Sequence, residues 1–303
     1  MMVLFALLNL LIVPLLLVGV IWKVKALMQN RVGSPILQAF YDVGKLLRKS
    51  ETISVTASWV FSLAPMLNLA VVAIVALLVP WSGAMVPGSC ASSTNLLLLV
   101  YLLGLGKFIS MLAAMDTGSA FGGLGASRDA MISVLVEPAL LMGLGALALG
   151  AGSLNLSVIY SSPLSQSVAV LVGAALVVIA LAELSRMPVD DPTTHLELTM
   201  VHEAMILENS GRNLALVELA VALRTCIFFG LASQTFLHAL PQYVALSLVP
   251  RYLIGLCALF AMGTAVAVAE GVLVKLNWRR VPNFIAYGIA LSALAALIAA
   301  ARG

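Results

Sequence analysis

The chain has 303 residues, of which 62% are apolar and only 10% charged. Soluble domains run near half apolar and a quarter charged, so these proportions, with a mean hydropathy of +1.11, exclude an ordinary soluble globule. Sixteen basic residues against thirteen acidic ones leave a net charge of +3, too little for the basic face that nucleic acid requires.

Apolar runs of about 20 residues, the length that crosses a hydrocarbon core about 30 Å thick, fall at 2–22, 58–80, 95–115, 130–152, 166–185, 213–237, 249–274 and 283–301. The fold class expected is therefore all-α: a polytopic integral membrane protein with about eight transmembrane helices in a single domain, residues 1–303. The first run reads as a retained anchor. No basic residue precedes it, and Trp22-Lys23 follows it without a small-residue cleavage site.

The connecting segments set the orientation. Lys23, Lys25, Arg31, Lys45, Arg48, Lys49, Arg128, Arg186, Arg212, Lys275, Arg279 and Arg280 all lie on one side, whereas segments 81–94, 153–165 and 238–248 hold no Lys or Arg. The positive-inside rule then puts both termini on the outer side and loops 23–57, 116–129 and 186–212 in the cytoplasm. The expected location is the cytoplasmic (inner) membrane.

In loop 23–57, Gly33 and Pro35 break the chain. From Ile36 onward, apolar positions 36, 37, 40, 43, 46 and 47 recur at helical spacing beside Lys45, Arg48 and Lys49. This is the pattern of a basic amphipathic helix, lying in the membrane interface or serving as a lateral strut. Loop 116–129 is glycine-rich but lacks the Gly-Lys-Ser/Thr of a phosphate loop. Its glycines suit close approach by another backbone. Loop 186–212 concentrates carboxylates, and His195 and His202 lie in it. A short helix is expected from Pro192, with Asp191 as N-cap. The spacing is not HExxH, so no metal site is assigned. A titrating cluster of Glu197, Glu203 and Glu208 with the two histidines is preferred, in which crowding raises carboxylate pKa values and pulls a histidine upward. The alternative is a structural hydrogen-bonding role for the histidines.

Several ionisable residues fall within or at the edges of the apolar runs, where each costs at least about 2.5–3.5 kcal/mol near the bilayer centre. At 1.5 Å per residue, Glu183 and Glu218 lie roughly 5 Å from the cytoplasmic helix ends, Glu270 about 8 Å, Lys107 and Glu137 about 10–12 Å, and Arg224 about 15 Å. Together they outline a funnel from the cytoplasmic face to mid-membrane that suits proton transfer, with snorkelling as the plain alternative for Glu183 and Glu218. Pro138 after Glu137 frees a backbone carbonyl beside that carboxylate. Cys90, Cys226 and Cys257 are scattered with no CxxC, so the chain is expected to carry neither an iron–sulfur cluster nor a nickel–iron centre, and no catalytic centre of its own.

These segments together resemble the subunit-1 family of respiratory complex I and its relatives, the group 4 membrane-bound nickel–iron hydrogenases. The resemblance rests on Arg31-x-Gly33-x-Pro35, Gln38, Asp42 and Lys45-Leu46-Leu47. It continues through Leu124-Gly125-Ala126-x-Arg128, Glu183-x-x-Arg186-x-Pro188-x-Asp190 and Glu208-x-Ser210-Gly211, and so covers nearly the whole chain. Complex I members usually have Tyr where Asn209 stands, and the stretch 187–200 looks like the hydrogenase-associated branch. The resemblance implies a membrane-arm subunit that docks a peripheral redox arm and couples electron transfer to proton or sodium movement. The implied partners are hydrogenase large and small subunits, an iron–sulfur subunit and antiporter-like membrane subunits, with the metal centres in those partners. It also implies a carboxylate path through Glu137, Glu183, Asp190, Glu197 and Glu208. The docking and relay surface expected on the cytoplasmic loops comprises Arg31, Asp42, Arg128, Arg186, Asp190, Asp191, His195, Glu197, His202, Glu203 and Glu208. One alternative is subunit 1 of an NADH:quinone oxidoreductase, lining a quinone chamber. Another is a free-standing secondary transporter, although the sequence shows no paired broken helices in symmetric halves.

Overall fold

A computed structural model describes residues 2–83, 94–162, 164–191 and 200–302. Among these residues the chain is helical and contains no strand, in order α1 (Met2–Leu11), α2 (Val13–Met28), α3 (Gln38–Leu47), α4 (Trp59–Leu78), α5 (Leu96–Asp116), α6 (Ala120–Ala151) and α7 (Leu156–Ile159). Then follow α8 (Gln166–Glu183), α9 (His202–Ile206), α10 (Gly211–His238), α11 (Pro241–Val244), α12 (Leu248–Val272) and α13 (Val281–Arg302). Seven of the described segments are long and apolar enough to cross a membrane, the solution that lipid demands because each backbone polar group must be bonded within its own helix.

The first apolar run differs from expectation. It is split at Ile12 into helices of 10 and 16 residues, and Pro14 sits in the first turn of α2. A proline has no N–H to return to the preceding turn and its ring crowds that carbonyl, so the run is broken where an uninterrupted span was predicted.

The glycine-rich segment differs too. Only residues 117–119 separate α5 from α6, with Gly118 at φ 68°, and α6 runs for 32 residues. Residues 120–129, expected as loop, are the first turns of that helix. The reason given for the glycines nevertheless holds. A Cβ at Gly125 would stand 2.8 Å from the Val201 carbonyl oxygen, and one at Gly122 would stand 2.7 Å from that of Ala114.

Helix α10 is the axis of the bundle. Of its membrane-length window, 72% is buried, against 28% for the last span, and it packs on α2, α3, α4, α8 and α12. The amphipathic α3 forms as expected, burying Ala39 and Val43 against Leu15, Ala215 and Ala222 and leaving Lys45, Arg48 and Lys49 exposed.

Side chains close the helix ends. On the basic side the Asp116 carboxylate accepts the Ser58 and Phe61 N–H groups at 2.8 and 3.2 Å and the Ser58 hydroxyl at 2.7 Å. This fixes the start of α4 to the end of α5 with an anion where α4 exposes unpaired donors. On the opposite side Asn95 and Asn155 each accept the N–H two residues on, at 2.9 Å, capping α5 and α7. The helix expected from Pro192, with His195 and Glu197, lies outside the described residues.

Candidate functional site

Five helices each place one polar residue at a common point. Lys107 Nζ on α5 lies 3.0 Å from Asp129 on α6 and 3.1 Å from Glu183 on α8. Arg224 on α10 donates from Nη2 to Asn68 Oδ1 on α4 at 3.2 Å. All five residues are buried. The two groups adjoin at Gly106, where a Cβ would stand 2.9 Å from Asn68 Oδ1 and 3.1 Å from Arg224 Nη2. Two cations face two carboxylates, so the centre is neutral overall. Burying four charges costs several kcal/mol per ion, and only close mutual pairing recovers it. Arg224 Nε and, one turn beyond Asp129, Ser133 Oγ are buried without a hydrogen-bond partner among the described residues. The centre thus has spare polar valences.

Two further ion clusters stand toward the basic side. Glu270 on α12 is held between Lys25 of α2 at 3.0 Å and Arg186 at 3.1 Å, and the Arg186 guanidinium lies 5.6 Å from the Phe229 ring. Asp190, buried, accepts Lys275 Nζ at 2.7 Å and the N–H groups of Val201 and Asp191 at 2.9 Å. Arg128 donates to the Met200 carbonyl at 3.0 Å and lies 5.6 Å from the Trp278 ring. Asp190 and Arg128 therefore pin the segment beyond residue 199 to α6 and to the residues before α13.

A cavity of about 800 Å³ opens between these clusters and α3, with Trp22, Arg31, Arg186, Asp190, Glu203 and Glu218 in its wall. His202 lines it as well, and its buried Nε2 has no partner among the described residues. Burial pushes the His202 pKa below its ordinary 6.5; Asp129 and Asp190 pull it up while Arg224 and Lys107 push it down. For His202 the expected upward shift does not hold, because desolvation outweighs the carboxylates; His195 lies outside the described residues. A neutral imidazole within the electrostatic influence of Asp129 and Asp190 therefore borders the cavity.

Of the path residues, Lys107, Glu183, Arg224 and Glu270 are buried in ion clusters, and Glu218 is half-buried in the cavity wall. Glu137 is not among them. It is exposed on the outside of α6, with its carboxylate over Gly104 of α5. It stands eight residues beyond Asp129 on α6, about 12 Å deeper than the level of Lys107 at 1.5 Å per residue, so neither its depth nor its face is the one expected. Of the loop residues, Arg31 is at the cavity mouth, Asp42 accepts Gln38 Nε2 at 2.8 Å within α3, and Glu208 is exposed away from the centre. Asp191 follows the Asp190 clamp, and Glu203 joins the cavity wall. Sequence reasoning missed Asp129, Asn68, Lys25 and Lys275. A signal for Asp129 existed: it stands 13 residues beyond Asp116, and a helix begun at Ala120 carries it back to the depth of Lys107. Among the described residues no group of three His, Cys, Asp or Glu could hold a metal ion.

Comparison with known proteins follows the same outline. The family described as NADH dehydrogenase matches residues 1–301. The chain is 30% identical over 294 residues to formate hydrogenlyase subunit 4 of Escherichia coli, covering 94% of each. It is 29% identical over 287 residues to hydrogenase-4 component C of the same organism, covering 91% of this chain and 88% of that one. Against an NADH-quinone oxidoreductase subunit from Paraburkholderia phymatum it is 30% identical over 232 residues, covering 71% of this chain and 64% of that one. A chain in the structure of the membrane-bound sulfane sulfur reductase, an archaeal respiratory membrane complex, shares the fold with a TM-score of 0.78 at 18% identity, covering 98% of both.

Proposed function

We propose, from the fact that the chain belongs to the NADH dehydrogenase family, that it is the membrane-arm subunit of a group 4 nickel–iron hydrogenase complex of the formate hydrogenlyase type. It anchors a peripheral redox arm to the cytoplasmic membrane and couples electron transfer there to movement of protons or sodium ions. The observation that carries this reading is the match to formate hydrogenlyase subunit 4 across 94% of both chains. A likeness of that length to a subunit of a complex favours a complex over a free-standing transporter. The partners in this reading are the hydrogenase large and small subunits, an iron–sulfur subunit and antiporter-like membrane subunits. The nickel–iron and iron–sulfur centres belong to those partners and supply the electron transfer.

This chain's own residues would do two things. The cytoplasmic ends, with the Asp190–Lys275 and Arg128–Met200 ties, give the redox arm a fixed floor. A charge change at that floor reaches His202, and through it the Lys107–Asp129–Glu183 triad, where one proton more or less changes the balance of a neutral, buried centre. Glu137, exposed at depth on α6, is the carboxylate a neighbouring membrane subunit would cover, since lipid alone leaves it costly.

The test is purification of the tagged chain from its native membrane. Nickel and iron-rich partners that co-purify and evolve hydrogen bear the proposal out. A chain that purifies alone refutes it. A second reading, a quinone-reducing complex, is favoured by the cavity of about 800 Å³. Partners that reduce a quinone and make no hydrogen would establish it instead.

A further inference from the structure

The side of the bundle opposite the basic loops is chemically unlike the rest. Every one of the thirteen acidic residues falls at positions 42–51, 116–137, 183–218 or 270, so none belongs to that side. Buried there are Arg251 and His238. The Arg251 Nη2 group donates to the Tyr160 carbonyl and lies 3.1 Å from His238 Nε2, and its guanidinium carbon is 5.5 Å from the Tyr243 ring. The His238 Nδ1 atom is 2.8 Å from the Gln234 carbonyl. Two donors, Arg251 Nε and Gln234 Nε2, have no partner among the described residues. Burial pushes the Tyr160 hydroxyl up to about 12 and raises that of Tyr243, so neither supplies a negative charge. Among the described residues, carbonyls and rings are what face this guanidinium.

Between this cap and the charge centre the interior is apolar. From Arg224 to Gln234 along α10 is about 15 Å at 1.5 Å per residue. Cys226, Ile227, Phe228, Leu231 and Ala232 fill that distance, each no more than 2% exposed. They belong to one continuous apolar core with Val72 of α4, Leu103 of α5 and Leu176 of α8. The α10 hydroxyls at its margins are spent on backbone, whereas Ser133 Oγ of α6, at the inner margin, has no partner among the described residues. Thr225 donates to the Val221 carbonyl at 2.8 Å, Ser233 to Gly230 at 3.0 Å and Thr235 to Leu231 at 2.7 Å. The Trp81 backbone closes on α10 where residue 230 has no side chain, since a Cβ there would stand 2.5 Å from its carbonyl oxygen. Phe229 lies midway along this stretch, and the Arg186 guanidinium from the basic side stands 5.6 Å from its ring.

We infer that this subunit is a one-sided well. Charge enters the Lys107–Asp129–Glu183 centre from the cytoplasmic side and does not cross to the other, because an apolar layer and, beyond it, a buried cation without a counter-charge stand in series. An uncompensated arginine in a low-dielectric passage repels protons and metal cations alike. The inference refines the coupling role proposed above and stands equally if the redox partners are quinone-reducing. Ion movement across the membrane is then the work of neighbouring subunits.

The layer is tested on a native side chain. With Cys90 and Cys257 changed to serine, Cys226 is the sole thiol, buried at the inner edge of the layer two residues from Arg224. In the intact complex, a water-soluble trimethylammonium methanethiosulfonate should label less than about a tenth of it under conditions that label the detergent-unfolded chain fully. Labelling in the folded complex would mean that water reaches the layer and would overturn the inference. The cap is tested by passive proton entry into proteoliposomes holding the complex under an imposed diffusion potential. Wild type should match protein-free vesicles. In a Phe228→Ser background, or Leu231→Ser if that one does not assemble, adding Arg251→Gln should raise the leak about tenfold, whereas Arg251→Lys should not. A leak in wild type, or no added leak with Arg251→Gln, refutes the barrier. Either failure leaves the co-purification test of the redox assembly unaffected.

Discussion

Removing the Lys107 charge is the sharpest probe of the centre. Lys107→Met keeps an unbranched chain of similar length and deletes the cation that stands 3.0 Å from Asp129 and 3.1 Å from Glu183. Two buried carboxylates then share one remaining cation, Arg224. Breaking a buried ion pair on one side costs about 3–5 kcal/mol, and Asp129→Asn, which strands Lys107 against Glu183 alone, falls in the same range. The double variant leaves Glu183 and Arg224, again balanced. It should therefore cost less than the sum of the singles by about 2 kcal/mol or more, inside the range known for coupled neighbours. Unfolding of the purified chain in mixed micelles, titrated with a denaturing detergent, gives the three free energies needed. Additivity within about 0.5 kcal/mol would show that the residues do not form one electrostatic unit and would remove the basis for a proton-sensitive centre.

Three further outcomes are expected. Gly106→Val should lower coupled turnover without loss of assembly, because its side chain enters the space of Asn68 Oδ1 and Arg224 Nη2, whereas Gly145→Val, with nothing within 4 Å of its Cβ, should have no effect; equal effects would show that the close approach is immaterial. Asp190→Asn or Lys275→Gln should loosen the segment after residue 199 and release the peripheral arm from washed membranes, and full retention of the arm would place docking elsewhere. The folded His202 has a pKa below 6.5, so as pH falls through 6.5 the unfolded chain takes the proton first and stability is lost on the acid side, while above that pH both states are neutral and the residue contributes nothing. His202→Gln should flatten the acid limb of the thermal stability profile; an unchanged limb would mean that the imidazole is not buried neutral.

The helices were legible because lipid leaves the chain one secondary structure to adopt, and length and apolarity find it. The faces of those helices were not. A lipid-facing side chain and a core-facing one are equally apolar, so nothing in the pattern of α6 distinguishes the side bearing Asp129 from the side bearing Glu137. That is why the direction of Glu137 could not be read, and its depth was misjudged because α6 starts at Ala120 and not at 130. The start of α6 was missed because glycines at 122, 123 and 125 lower helix propensity, while the packing of Gly122 against Ala114 and of Gly125 against Val201, a tertiary fact, compensates. The ties of Glu270 to Lys25 and of Asp190 to Lys275 join residues far apart in sequence and left no local trace.

The order in which the charge centre is assembled follows from where its members sit along the chain. Asn68, Lys107, Asp129 and Glu183 leave the ribosome before Arg224 does, and chains fold from the N-terminal end as they are made. Until α10 arrives, one ammonium faces two carboxylates, and the unfinished bundle must hold an extra proton to remain uncharged. Insertion of α10 brings the second cation and expels that proton. The helix most enclosed by its neighbours is thus also the one whose entry balances the centre, with α12 and α13 still to follow.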